Sequence, residues 1–139
     1  MIQKLLSPIS WSANATAWAS LILRLTLGLL MLSHGIPKLM KLVNGTMEFG
    51  DPIGIGVPAS LALTVFAEVL CSLLIIAGLW TRIALIPLII TMAVAAFIVH
   101  INDDLGTIEP ALMYLLPYIA LFLIGSGTYS MDTVLKRKV

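Results

Sequence analysis

The stretch AWASLILRLTLGLLMLSHGIPKLMKL, residues 17–42, is one long apolar segment with a few polar interruptions. A helix needs about 20 mostly apolar residues to cross a bilayer, and this stretch is long enough. Arg24, His34 and Lys38 are unfavourable in hydrocarbon because an ionisable side chain loses its hydration there. The stretch therefore predicts a membrane span whose polar residues face other helices or a ligand.

The composition of the whole chain places it in the membrane class. Of its 139 residues, 60% are hydrophobic and 11% are charged, against about 45–50% and about 25% in soluble domains. The net charge of +1 gives no basic surface for nucleic acid. With Cys71 as its one cysteine, the chain cannot form an intramolecular disulfide, a CxxC redox pair or a thiolate metal cage. A redox role must then use a bound cofactor, a substrate or a partner protein.

Three further segments, about residues 58–80, 82–101 and 110–125, are long or nearly long enough to span. The segment Leu79-Trp80-Thr81 between the second and third spans is a tight turn, which predicts an antiparallel hairpin. Pro37 has no backbone N–H and predicts a kink in the first span. The predicted fold is all-α, an integral membrane four-helix bundle with a kinked first span.

The ends of the chain set its predicted orientation. Residues 1–16 lack the continuous apolar core of about 7–15 residues that a signal peptide needs, so we expect a retained cytoplasmic or interfacial leader. Residues 17–132 form the four-span domain, and residues 133–139 form a basic cytoplasmic tail. Positive-inside counting assigns both termini to the cytoplasm. The Lys and Arg residues on that side are Lys4, Arg82, Lys136, Arg137 and Lys138.

Small and polar residues of the first two spans fall on single stripes at about 100° per residue. On the first span the stripe comprises Arg24, Gly28, Met31, Gly35 and Lys38. On the second span it comprises Ser60, Thr64, Glu68, Cys71 and Ser72. Because glycine lets a neighbouring helix approach closely, we expect the two stripes to face each other.

Two ion pairs are expected from the depth of the charged residues. With a rise of about 1.5 Å per residue, Arg24 and Glu68 lie within roughly two turns of the same level, so we expect them to pair. Such a pair serves either as a packing and insertion device or in handling a ligand. Arg82 and Asp132 both lie at the cytoplasmic face, where a contact between them would tie the hairpin turn to the end of the chain.

The remaining polar residues gather toward the opposite face. His34, Lys38 and His100 lie there, and together with Glu68 they are the candidate ligand-binding residues. Imidazole changes its protonation state near neutral pH, so either histidine could exchange protons with a quinone-like or acidic ligand. The alternatives are that Lys38 extends to the lipid head groups and that His100 is an interfacial cap. The spacing of the histidines and acids matches no known metal or haem site.

Residues spread along the chain, from about Leu21 to Asp132, resemble the DoxX family in their order and spacing. The matching motifs are Arg24…Gly28…His34-Gly35-Ile36-Pro37-Lys38, then Glu68 followed by Gly78-Leu79-Trp80-Thr81-Arg82, and finally Gly125-Ser126-Gly127-Thr128-Tyr129-Ser130-Met131-Asp132. The resemblance implies a small multi-pass protein of the bacterial inner membrane. It also implies a link to quinone-coupled sulfur oxidation, through the related DoxD subunit of thiosulfate:quinone oxidoreductase, or to membrane-associated oxidative-stress complexes.

The leading functional hypothesis is a redox-associated subunit that binds a quinone or another small lipophilic ligand in the polar seam between the spans. Whether the chain is an enzyme stays open; if it is one, it is a quinone-linked oxidoreductase subunit with quinone as its candidate cofactor. The alternatives are a non-enzymatic membrane scaffold for a partner complex and a small transporter or channel subunit. Membrane lipids, a redox partner protein and further copies of the chain are the partners to expect.

Overall fold

The computed structural model describes residues 12–137, and this part of the chain is helical without any β-strand. Four long helices are followed by a short fifth: α1 Ala13–Val43, α2 Val57–Ala77, α3 Thr81–Val99, α4 Leu105–Ile124 and α5 Met131–Lys136. Each long helix is long and apolar enough to cross a membrane, which confirms the predicted four-helix membrane bundle. The expectations for residues 1–11 and 138–139 lie outside the described residues.

The bundle has two ends that differ in structure. The terminal end carries the start of α1, the turn between α2 and α3, and α5. The loop end carries the α1–α2 loop, residues 44–56, and the α3–α4 turn, residues 100–104. Because successive helices run in opposite directions, α1 and α3 run toward the loop end while α2 and α4 run away from it.

Helix α1 is continuous over 31 residues and contains the predicted first span. The Ser12 side chain accepts a hydrogen bond from the Ala15 N–H at 3.1 Å and so caps the first turn. The helix continues past Pro37 to Val43, so the proline does not end it. The stripe predicted on this helix faces the bundle, with its members Arg24, Gly28, Met31 and Gly35 buried.

Helices α2 and α3 each contain a segment of π-helix, in which the turn is wider than in an α-helix. The segments are Phe66–Cys71 in α2 and Ala95–Val99 in α3. Such segments are rare and occur often at functional sites. The residue pattern did not predict them, because it is compatible with an unbroken α-helix. The first segment carries Glu68, which is buried in the bundle.

The α2–α3 hairpin closes in a tight turn at the terminal end. Gly78 ends α2 with φ +70°, and Trp80 precedes α3 with φ +48°, a left-handed conformation that is uncommon for a residue with a side chain. The Asp132 carboxylate accepts hydrogen bonds from the N–H groups of Trp80 at 2.7 Å and Thr81 at 3.2 Å. These bonds stabilise the turn and cap the start of α3, as an N-cap side chain does.

The apolar core lies between the middle of the bundle and its terminal end. It is formed by buried side chains of the four long helices, among them Leu27, Ile75, Leu85, Leu88 and Leu121. Helix α1 packs on α2 and α4, and α3 packs on α4. The loop-end half holds fewer members of this core, and the polar residues of the candidate site lie there.

Candidate functional site

The site begins at a close contact between α1 and α2. A Cβ atom added at Gly35 would lie 2.8 Å from Cγ2 of Val69 and 2.9 Å from Cβ of Glu68, so the helices approach this closely because the residue is glycine. The contact sets the axial position of α2 against α1. It places Glu68 beside Gly35, about one turn of helix before Lys38.

Lys38 and Glu68 form an ion pair at this contact. The Lys38 Nζ lies 2.5 Å from Oε1 and 2.7 Å from Oε2 of Glu68. The Glu68 side chain is 2% exposed and that of Lys38 is 30% exposed. A carboxylate removed from water needs such a partner, because the loss of its hydration is costly. The pairing therefore explains how Glu68 is tolerated inside the bundle.

The predicted Arg24–Glu68 pair is wrong, because Glu68 packs too far along α1. Its neighbour Gly35 lies about three turns, roughly 16 Å, from Arg24 along the helix axis. Arg24 is fully buried at the terminal end, where its guanidinium donates hydrogen bonds to the carbonyls of Ile75, at 3.4 Å, and Tyr129. The Ile75 carbonyl belongs to the last turn of α2, where the helix dipole is negative. Arg24 thus caps α2 and holds the segment that follows α4.

The predicted contact between Arg82 and Asp132 is also replaced by contacts with the backbone. Arg82 donates from Nε to the Phe122 carbonyl at 3.1 Å and from Nη2 to the Leu123 carbonyl at 3.2 Å, while Asp132 caps α3. The physical reason is that helix ends present unpaired backbone groups. The cation satisfies carbonyls at the end of α4 and the carboxylate satisfies N–H groups at the start of α3, so each residue fastens the hairpin without the other.

Lys38 and Glu68 lie in the wall of a cavity of about 420 Å³ in the loop-end half of the bundle. All four long helices and the loop of residues 44–56 contribute to the walls. The volume falls in the range of small-molecule sites, roughly 300–1,000 Å³. The lining is mainly apolar, and its polar members are His34, Lys38, Ser60, Thr64, Glu68, Thr91, His100, Thr107 and Tyr114. The four candidate ligand-binding residues thus share one cavity, and their role in binding stays a prediction.

An aromatic row runs from the cavity into the core. The rings of His34 and Tyr114 meet edge-on with their centroids 5.7 Å apart, and Tyr114 lies 6.0 Å from Tyr118. Tyr118 is fully buried, and its hydroxyl has no hydrogen-bond partner among the described residues. Sequence reasoning missed this contribution of α4. The available signal was the spacing of the two tyrosines by four residues, which puts them on one face of the helix.

His100 combines two of the roles expected for it. It is the C-terminal cap of α3 and it also lines the cavity. Its Nδ1 lies 2.6 Å from Oδ2 of Asp103 in the α3–α4 turn. The carboxylate therefore orients the imidazole at the loop end, where both side chains are partly exposed.

The loop of residues 44–56 forms the wall of the cavity at the loop end. Phe49, Pro52, Ile53 and Ile55 contribute side chains to this wall. We call this segment the roof. Sequence reasoning missed it, although apolar residues spaced between glycines in an otherwise polar loop were a usable signal.

Asp51 fastens the roof to the start of α2. Its carboxylate accepts hydrogen bonds from the Ser60 hydroxyl at 2.6 Å, the Gly56 N–H at 2.8 Å and the Ile55 N–H at 3.0 Å. These bonds, the one from Ser60 above all, hold the pKa of Asp51 below its ordinary value. An ionised Asp51 therefore keeps the roof in place at neutral pH.

The cavity offers hydrogen bonding and proton exchange in an apolar enclosure. An ammonium, a carboxylate, an imidazole and several hydroxyls are its polar groups. Within residues 12–137 there is no cluster of three or more His, Cys, Asp or Glu side chains that could hold a metal ion. The described groups suit a small molecule that combines an apolar body with oxygen atoms.

A family model and a related membrane protein match the chain. The family model described as DoxX matches residues 19–101. The chain is 32% identical over 139 residues to the uncharacterized membrane protein Rv3486 of Mycobacterium tuberculosis, covering 84% of this chain and 80% of that protein. No solved structure matches the chain.

Proposed function

The chain belongs to the DoxX family of membrane proteins, and we propose that it binds a small lipophilic molecule with an oxygen-bearing head group, such as a quinone, in the loop-end cavity. In this proposal it is a membrane subunit of a redox system in the inner membrane of a bacterium. The observation that carries the proposal is the Lys38–Glu68 pair in the wall of a mainly apolar cavity.

The ion pair can bind both forms of a quinone. An ammonium has three N–H donors and a carboxylate has about four acceptor positions. The bonds between Lys38 and Glu68 use two of these donors and two of these acceptor positions, so the others are free for a ligand. Lys38 can therefore donate to a ligand carbonyl, and Glu68 can accept from a ligand hydroxyl. A quinone carries carbonyls and its reduced form carries hydroxyls. His34, beside Tyr114, is a further group that can take up or release a proton.

The cavity favours ligand binding over a purely structural role. A scaffold for a partner complex is expected to have a tightly packed interior, as the terminal half of this bundle has. A scaffold does not need the space of about 420 Å³ in the loop-end half, because protein interiors are otherwise close-packed. Apolar residues of three helices, including Met31, Leu63 and Val94, line it and suit the apolar part of a ligand.

Extraction of lipids from protein purified in native membrane tests the ligand. We expect quinone, measured by mass spectrometry, with the wild-type protein and about tenfold less with Lys38→Met or Glu68→Gln, because each loses a charged hydrogen-bonding group. The matched control is Lys41→Met, since Lys41 lies on the same helix but contacts the Glu48 carbonyl outside the cavity. If wild-type protein holds no quinone and binds no added decylubiquinone or short-chain menaquinone, the proposal fails.

We also propose that the terminal end faces the cytoplasm. Arg82, Lys136 and Arg137 lie at that end, and short segments rich in Lys and Arg are retained in the cytoplasm. The loop end carries Lys38 and Lys41, so the count of Lys and Arg favours the terminal end. A membrane-impermeant maleimide added to intact cells should label Asn44→Cys and leave Thr128→Cys unlabelled. Labelling of Thr128→Cys alone would reverse the orientation.

A further inference from the structure

We propose that the ligand enters the cavity sideways from the hydrocarbon of the membrane, through a gap between the loop-end halves of α2 and α3. This inference rests on the proposed function, and it narrows the ligand to molecules that dissolve in the bilayer. The gap, which we call the portal, is bordered by Leu63 of α2 and by Ile90 and Val94 of α3.

The packing of α2 shows where the two helices separate. They are joined at the hairpin turn, and the α2 segments Ser72–Ala77 and Phe66–Cys71 both pack on α3. The next segment toward the loop end, Val57–Val65, packs on α1 instead. The two helices therefore diverge beyond the π-helical segment Phe66–Cys71, and the cavity occupies the space between them.

Two residues mark the outer edge of the portal. Leu63 is 55% exposed and Ile90 is 57% exposed, and both also line the cavity. We place the entrance between these two side chains, because each borders the cavity and is also open to the surroundings. Counted from Val57 and Val99 at the loop end, these residues lie roughly 9 and 14 Å into the span. In a hydrocarbon core about 30 Å thick, the portal opens onto lipid.

Packing covers the cavity toward α1 and α4, and at the loop end the roof covers it, with Ile53 and Ile55 partly exposed. Helix α1 packs on α2 and α4, and the segment Ala95–Val99 packs on α4. The roof covers the loop end and is fastened by Asp51. Behind the apolar rim, Thr64 and Thr91 line the interior together with the Lys38–Glu68 pair. A lipophile that enters with its head group first thus passes an apolar rim and reaches polar partners.

Exchange of isotope-labelled decylubiquinone in phospholipid nanodiscs tests the route. The portal variant Leu63→Trp/Ile90→Trp should slow both uptake and release by about tenfold, because an obstructed path raises the barrier in both directions. The matched control Leu73→Trp/Ile83→Trp adds the same bulk to exposed positions of the same helices nearer the hairpin and should change neither rate. Slower exchange in the roof variant Ile53→Trp, with the portal variant unchanged, would overturn the proposal.

A second measurement does not depend on the ligand. A spin label at Thr91→Cys, in a Cys71→Ala background, should collide more with oxygen, which dissolves in hydrocarbon, than with a water-soluble nickel chelate. The reverse order would place the entrance on the aqueous side and would refute the portal. Wild-type protein that binds no quinone, yet shows the expected accessibility, would instead contradict the proposed function and leave the portal standing.

Discussion

The two ends of this bundle each hold a positive charge between the helices, and they do so in opposite ways. At the terminal end the Arg24 guanidinium is fully buried and donates to the backbone carbonyls of Ile75 and Tyr129. At the loop end Lys38 is part of a cavity wall and has the side chain of Glu68 as its partner. Backbone carbonyls belong to the fold, whereas a side-chain partner can be shared with a ligand. The first charge therefore holds the structure together, and the second is available for binding.

The largest expected effect on stability is at the terminal end. Arg24→Met removes two charge-assisted hydrogen bonds, the one to Tyr129 and the one to Ile75, whose carbonyl keeps its bond from the Gly78 N–H. We expect a loss of about 2–5 kcal/mol, seen as a fall in Tm by thermal unfolding in detergent. The double variant Lys38→Met/Glu68→Gln removes both charges of the loop-end pair and should lower Tm much less, because it leaves no unpaired buried charge, although it weakens quinone binding. Equal losses of stability at the two positions would remove the distinction between the ends.

The next largest effect is expected at the contact that positions Glu68. Gly35→Ala adds a methyl group within 3 Å of Val69 and Glu68, and such overpacking costs about 1–3 kcal/mol. It should also weaken quinone binding, because α2 must shift away from Lys38. Gly50→Ala is the control, since an added Cβ there meets no neighbour. Unchanged Tm and binding in Gly35→Ala would show that the close approach is not needed.

A smaller loss of stability is expected at the two aspartates that cap helices, and it should differ between Asp132 and Asp104. Asp132→Asn weakens the cap of α3 and the tie to the end of the chain, and we expect a loss of about 1–2 kcal/mol. Asp104→Asn affects only the first turn of α4, where Asp104 accepts from the Gly106 N–H at 3.2 Å, and should cost less. A larger fall in Tm for Asp104→Asn than for Asp132→Asn would contradict the view that the terminal end is the structural one.

The smallest effect concerns the roof and depends on pH. Because the pKa of Asp51 is lowered in the folded protein, its stabilising contribution is complete above its unfolded value and declines as the pH falls through the folded value. The difference in Tm between wild type and Asp51→Asn should therefore be constant from pH 7 to about 5 and shrink below about pH 4. A difference that grows on acidification would mean that the pKa of Asp51 is raised.

Several features of the fold and site followed from local properties of the chain. The four spans, the inward stripes on α1 and α2, and the four ligand candidates His34, Lys38, Glu68 and His100 rest on hydropathy and on helical periodicity, which the order of residues contains. The family resemblance is likewise borne out by the match over residues 19–101. The partner of Glu68 could not be predicted from the sequence, because depth alone does not distinguish Arg24 from Lys38.

By itself, then, the sequence determined that the chain is a bundle of four membrane helices and which face of α1 and α2 points inward. These are properties of a single helix, set by 3.6 residues per turn and by the cost of polar groups in lipid. The tertiary structure alone decided that Glu68 meets Lys38, that Arg24 caps α2, and that α2 and α3 diverge around a cavity. These outcomes depend on the axial offset between helices. The Gly35 contact, the hairpin turn and the π-helical segments set that offset. A difference of one helical turn in the offset is enough to change the partner of each charged residue.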